Sequence, residues 1–241
     1  MSRSFAVIVG TLSFAAFIGP GQAQSTNAPP NCGLSPEIPL PASAATSGSL
    51  ESAATAESLY RKGVAAAQGV GDAADCTKAF ALLQKAASEG YAPAENSLGE
   101  LYLAGQGVAP NPKEAAKWFN VAATKGEARG QYNLGMAIAQ GRSYGYGSPG
   151  GTGSAADHGG FAGSDVLHGT SSETLRRAAA LWQAAAGKGD PFAKYQLAGM
   201  YATGQGGMPH DVNKAIELYK EAADANVPGA SERLDALRNA S

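Results

Sequence analysis

Three sets of residues in this 241-residue chain have the types and spacing that chemistry requires. Gly141-Arg142-Ser143-Tyr144-Gly145 reads G-x-S-x-G, the turn that exposes an activated serine in one class of hydrolases, and Asp165 and His168 follow in the serine, acid, histidine order of that class. Such a serine works only on a sharp strand-to-helix turn. Here the motif follows a helical pattern and opens a glycine-rich stretch, with no strand pattern on either side. The second set is Asp157, His158, Asp165 and His168, two imidazoles and two carboxylates that could ligate zinc. Ligand distances of about 2.0 to 2.2 Å need a rigid frame, which a glycine-rich loop does not supply. The neighbouring GSPGGTGS lacks the G-K-[ST] of a phosphate cradle. The third set is the cysteine pair, Cys32 and Cys76. An even count suggests a bridge in an oxidising compartment, the other reading being two free thiols. A bridge would close a loop of about 45 residues, which chain entropy rates at about 3 to 4 kcal/mol.

Composition narrows the function classes. The formal charge is -2, with no basic stripe of the kind nucleic acid requires. The opening MSRSFAVIVGTLSFAAFIGPGQAQS combines Arg3, an apolar run from Phe5 to Gly19, and small residues Gly21 and Ala23 before Gln24. It reads as a signal peptide over residues 1–23, which predicts a periplasmic or secreted mature chain. The run is about 15 residues, short of the roughly 20 that span a bilayer, and no later stretch is long enough, so no transmembrane segment is expected in the mature chain. Residues 24–52 are rich in Pro, Ser and Ala without a period and read as a disordered linker.

The elements that must position any site come from a repeat. AASEG at 86–90 recurs as AATKG at 122–126, AAGKG at 185–189 and AADAN at 222–226, spaced by 36, 63 and 37 residues. The third copy therefore carries an insertion, read here as a glycine-rich loop over 142–172. Each unit reads as two helices. Helix A carries Ala94, Leu98, Leu101 and Tyr102 in the second copy and Ala193, Leu197, Met200 and Tyr201 in the fourth. Helix B is expected to start at the capping residues Asp75, Asn111, Thr174 and Asp211, to run through Leu82, Trp118, Leu181 and Leu218, and to stop at Gly90, Gly126, Gly189 and Asn226. A glycine inside a helix costs about 1 kcal/mol, so Gly99 and Gly135 are expected to be there for close helix packing. Ala230 and Leu234 repeat Ala193 and Leu197 and predict a closing helix.

The segment APAENSLGELYLAGQGVAPNPKEAAKWFNVAATKGEA, 92–128, resembles a Sel1-like repeat, a relative of the tetratricopeptide repeat, and the resemblance covers about 55–226. It implies an all-α, right-handed superhelical solenoid of about four helix-turn-helix repeats with a C-terminal closing helix, filling 53–241. It also implies a non-catalytic adaptor that binds a protein partner, an envelope or membrane protein, in signalling or complex assembly, with no cofactor. In such superhelices helix A lines the inner surface. Asn96, Tyr132 and Tyr195, at equivalent positions, and Glu100 and Met136 are then the expected partner-binding residues. Some cysteine-rich Sel1-like proteins are linked to β-lactamase-like activity, but their cysteine pair within each repeat is missing here. The competing reading is an envelope hydrolase, a serine hydrolase or a β-lactamase-like enzyme, that uses the insertion loop.

Overall fold

The computed structural model describes residues 32–34, 50–70, 73–140 and 172–240. The leader, most of the linker, and Ser143, Asp157, His158, Asp165 and His168 lie outside the described residues. The described chain is all helical: α1 Leu50–Gln68, α2 Cys76–Ser88, α3 Ala92–Ala104, α4 Pro112–Thr124, α5 Ala128–Ala139, α6 Ser172–Gly187, α7 Pro191–Thr203, α8 Val212–Asp224 and α9 Ala230–Ala240. Consecutive helices pair as the hairpins α1–α2, α3–α4, α5–α6 and α7–α8. Each hairpin packs on the next and α9 packs on α8, which is the nearest-neighbour order of a solenoid.

Local chemistry sets the helix ends. Asp75, Asn111 and Asp211 accept hydrogen bonds from the amides of Lys78, Glu114 and Lys214, as N-caps should. Thr174 is not a cap. Helix α6 starts at Ser172, so Thr174 lies in its first turn, where Glu173 complements the helix dipole. At the C-terminal ends of α2, α4, α6 and α8 one motif recurs four times. The amides of Gly90, Gly126, Gly189 and Asn226 bond the carbonyls of Ala87, Ala123, Ala186 and Ala223. The next amides, of Tyr91, Glu127, Asp190 and Val227, bond those of Ala86, Ala122, Ala185 and Ala222. This Schellman pattern needs left-handed backbone at the stop, and Asn226 adopts it at φ 57°.

Packing within each hairpin depends on one small-to-large pair. A Cβ at Gly63 would lie 2.9 Å from Leu83, at Gly99 2.6 Å from the Phe119 ring, and at Gly135 2.5 Å from the Trp182 indole. The fourth hairpin has Ala198 at this position, buried in the same core as Tyr219. The most buried large side chains of helix B are thus Leu83, Phe119, Trp182 and Tyr219. Leu82, Trp118 and Leu181, through which the sequence reading runs helix B, are half-buried instead. The ring must point at the glycine notch, and that requirement sets the rotation of helix B.

Cys32 and Cys76 form a disulfide, with Cα atoms 5.5 Å apart. Cys32 is fully buried in a core with Tyr60, Val64, Ala67, Leu98 and Leu101, and its amide bonds the carbonyl of Ala67 at 3.0 Å. A second core, built on Phe119, Trp182, Leu197 and Tyr219, fills the rest of the stack.

Gly99→Ala and Gly135→Ala should each lower stability by about 1 to 3 kcal/mol through overpacking, read as a lower urea midpoint. Gly187→Ala, where a Cβ meets nothing within 4 Å, should raise it by several tenths of a kcal/mol.

Candidate functional site

The residues expected to face a partner share one register on the A helices: Tyr60 on α1, Asn96 on α3, Tyr132 on α5 and Tyr195 on α7. The next turn holds Val64, Glu100, Met136 and Gly199. Helix α3 is buried along Ala94–Leu101, so Asn96 and Glu100 lie inside the fold. Asn133 on α5 donates from Nδ2 to Asn96 Oδ1 at 2.9 Å and to Glu100 Oε1 at 3.1 Å. Asn96 Nδ2 in turn donates to Glu100 Oε1 at 3.3 Å. One repeat later Gln196, at the position equivalent to Asn133, hydrogen-bonds the side chain of Tyr132. Through these side chains α5 reaches back to α3 and α7 to α5. Tyr132 is buried, and burial pushes its hydroxyl pKa up to about 12. Met136 and Tyr195 are half-buried and share the outer part of this face with Asn133 and Gln196.

Charged ties that the sequence reading missed join the repeats. Lys125 Nζ donates to the carbonyl of Gly90 at 2.9 Å and pairs with the buried carboxylate of Glu95. Lys188, one repeat later, donates to the carbonyl of Gly126. The signal was present as the lysine before the stop glycine in AATKG and AAGKG.

A buried polar cluster fixes the junction between the third and fourth repeats. Asp190 caps α7 through the Ala193 amide at 2.8 Å and forms an ion pair with Arg129, Nε to Oδ2 at 3.2 Å. No well-aligned hydrogen bond reaches Asp190 Oδ2 among the described residues, so that contact is electrostatic. The Arg129 guanidinium lies 4.3 Å from the centre of the Phe192 ring and 5.6 Å from that of Tyr132. Glu127 caps α5 through the amides of Arg129 and Gly130. Burial raises the pKa of both carboxyls above the ordinary range, outweighing Arg129 at Asp190 and the two amide bonds at Glu127.

The G-x-S-x-G motif can be compared with the other repeats by register. Gly141 is equivalent in register to Gly105 and Gly204, which end α3 and α7 in left-handed conformation. Ser143 is equivalent to Gly107 and Gly206. A Cβ at Gly107 would lie 2.1 Å from the Cys76 carbonyl oxygen, and one at Gly206 3.2 Å from that of Leu175. Cys76 and Leu175 are themselves equivalent, so this loop glycine docks on helix B of the preceding repeat. By register alone the motif coincides with the positions that hold the helix-stop glycine and following loop in the second and fourth repeats, and residues 141–145 themselves lie outside the described residues. No group of three or more metal-ligating side chains occurs among the described residues.

The Sel1 repeat model matches residues 56–91, 92–127, 128–153 and 191–227, more than half of the chain. Among solved structures the chain is similar to a Sel1 repeat protein from Oxalobacter formigenes, at 27% identity and TM-score 0.54, over 74% of this chain and 62% of that one. It also shares its fold with c5321, a protective antigen of uropathogenic Escherichia coli that displays an SLR fold, at 24% identity and TM-score 0.53, over 74% of this chain and 32% of that one. The chain therefore covers less than two thirds of either structure's length. A search of curated proteins returned no match.

Arg129→Met should cost about 3 kcal/mol or more, because it leaves Asp190 buried and uncompensated, and adding Asp190→Asn should recover part of that loss in urea titrations. A carboxyl whose folded pKa is raised binds its proton more tightly in the folded state. Its contribution is therefore greatest at low pH and is lost as pH rises through the folded value. The thermal midpoint should gain less on going from pH 7 to about 5 in Glu127→Gln/Asp190→Asn than in the wild type.

Proposed function

Since this chain belongs to the Sel1 repeat family, we propose that it is an exported, non-catalytic adaptor that holds a protein partner in the cell envelope, in signalling or complex assembly. Sel1 repeats typically mediate protein interaction, and a stacked array suits that task because successive repeats add to one continuous surface. The observation that carries the reading is the A-helix ladder. Asn133 ties α5 to α3 and Gln196 ties α7 to α5, and Asn96, Glu100 and Tyr132 lie beneath as a fixed polar floor. Half-buried Met136 and Tyr195 stand on it. A thioether and a phenol offer adaptable apolar area and one hydroxyl, which suits a protein surface better than a small substrate.

Export is supported by the Cys32–Cys76 disulfide, which persists in oxidising compartments, together with the leader-like residues 1–23. No helix among the described residues is long and apolar enough to cross a membrane.

The test is affinity capture from envelope extract, comparing wild type with Met136→Ala/Tyr195→Ala and with the exposed helix-B variant Lys117→Ala/Lys220→Ala. A specific partner lost in the first variant and kept in the second is the expected result. Equal capture by all three would place binding elsewhere and overturn the assignment to the A-helix face. An activity abolished by Ser143→Ala with the fold intact would replace the adaptor by a hydrolase.

A further inference from the structure

The two ends of the stack are closed by different means. At the C-terminal end α9 buries Ala230 and Leu234, a non-covalent cap that repeats helix A once more. At the N-terminal end a described segment of three residues, Cys32–Leu34, does the closing. Cys32 is fully buried, its amide bonds Ala67 at the end of α1, its sulfur is joined to Cys76 at the first position of α2, and Leu34 packs against the same core. A Cβ at Gly33 would stand 3.5 Å from Ala104 at the end of α3, so the segment touches all three of the first helices. The core it completes is small-sided, with Ala67, Ala79, Ala86, Ala87 and Ala94. That core is separate from the one around Phe119, Trp182 and Tyr219. A terminal repeat has only one neighbour and so has the least support against local opening.

We propose that the Cys32–Cys76 disulfide is a redox-sensitive end cap: cleavage by a dithiol reductant releases Cys32–Leu34 and lets α1 and α2 open locally while α7 and α8 stay folded. Cys76 is half-buried and Cys32 fully buried, so a reductant thiolate reaches Cys76 Sγ first. It forms a mixed disulfide there as the Cys32–Cys76 bond breaks, and Cys32 leaves as a thiolate that takes a proton from solvent. The reductant's second thiolate then attacks its own sulfur in the mixed disulfide. This releases Cys76 as a thiolate at the N-terminus of α2, where the helix dipole favours the anion until it too is protonated. The protein gains two electrons and two protons, and the dithiol ends as its disulfide. Opening of the first hairpin would uncover the side of α3 that packs against α2. The proposal is independent of which partner the A-helix face binds.

Hydrogen–deuterium exchange on the oxidised protein and on protein reduced with dithiothreitol tests it, with Cys32→Ser measured in parallel without reductant. For a closed loop of about 45 residues, amides of α1 and α2 should exchange roughly 10²- to 10³-fold faster on reduction, with α7 and α8 unchanged. Cys32→Ser should reproduce that pattern, and if the variant does not fold, the reduced wild type decides alone. Unchanged protection in α1 and α2, or an equal loss through α8, would overturn the proposal.

Discussion

The contact on which the rest of this structure depends is the seating of one large helix-B side chain on a notch in helix A. Leu83, Phe119 and Trp182 sit where any side chain at Gly63, Gly99 or Gly135 would collide with them. The notch lets the two helix axes approach, and the ring fills the space between them without a cavity. Both partners are needed, since a large residue without the notch would splay the hairpin and a notch without the ring would leave a void. Three of the 32 glycines serve as these notches, and few large side chains suffice in a chain with 7% aromatic residues when each has a prepared seat.

Once each hairpin has its shape, the joints between hairpins do the remaining work. The Schellman turn at each helix-B end reverses the chain into the next A helix, and the alanine pairs supply both its carbonyls and its close packing. Lys125 and Lys188 then fasten the turn of one repeat to that of the previous one. The junction between the third and fourth repeats is different in kind. There the buried Arg129–Asp190 pair, flanked by half-buried Glu127, is added to the apolar packing of Tyr132, Phe192 and Leu197. Such a cluster contributes little net stability but tolerates few alternative geometries, which favours a fixed angle between the two repeats.

The A helices inherit this rigidity. Asn133 and Gln196 each engage a side chain of the A helix one repeat earlier, which preorganises this face. On this face Glu100 is turned into the ladder and Tyr132 is buried.

Much of this was legible in sequence because it is periodic. The stop glycines, three of the four helix-B caps, the notches at Gly99 and Gly135 and the closing helix follow from residue types whose local physics allows few conformations, whereas the cysteine count allows a bridge or two free thiols and the fold pairs them. The start of α6 did not follow, since Glu173 and Ser172 extend the helix ahead of Thr174 and register alone does not show it. Nor did the depth of Phe119 over Trp118, which is decided by which side chain faces a glycine on a different helix. The same holds for the candidate site. Spacing put Asn96, Glu100, Tyr132, Met136 and Tyr195 in one register, but only the arrangement of α3, α5 and α7 separates the buried floor from the half-buried Met136 and Tyr195. The Arg129–Asp190 pair spans 61 residues of chain and carries no local signal. Sequence alone determines which residues repeat and where each helix must stop, because those are short-range constraints. Tertiary structure decides which polar groups are enclosed, because enclosure depends on what a neighbouring repeat brings against them.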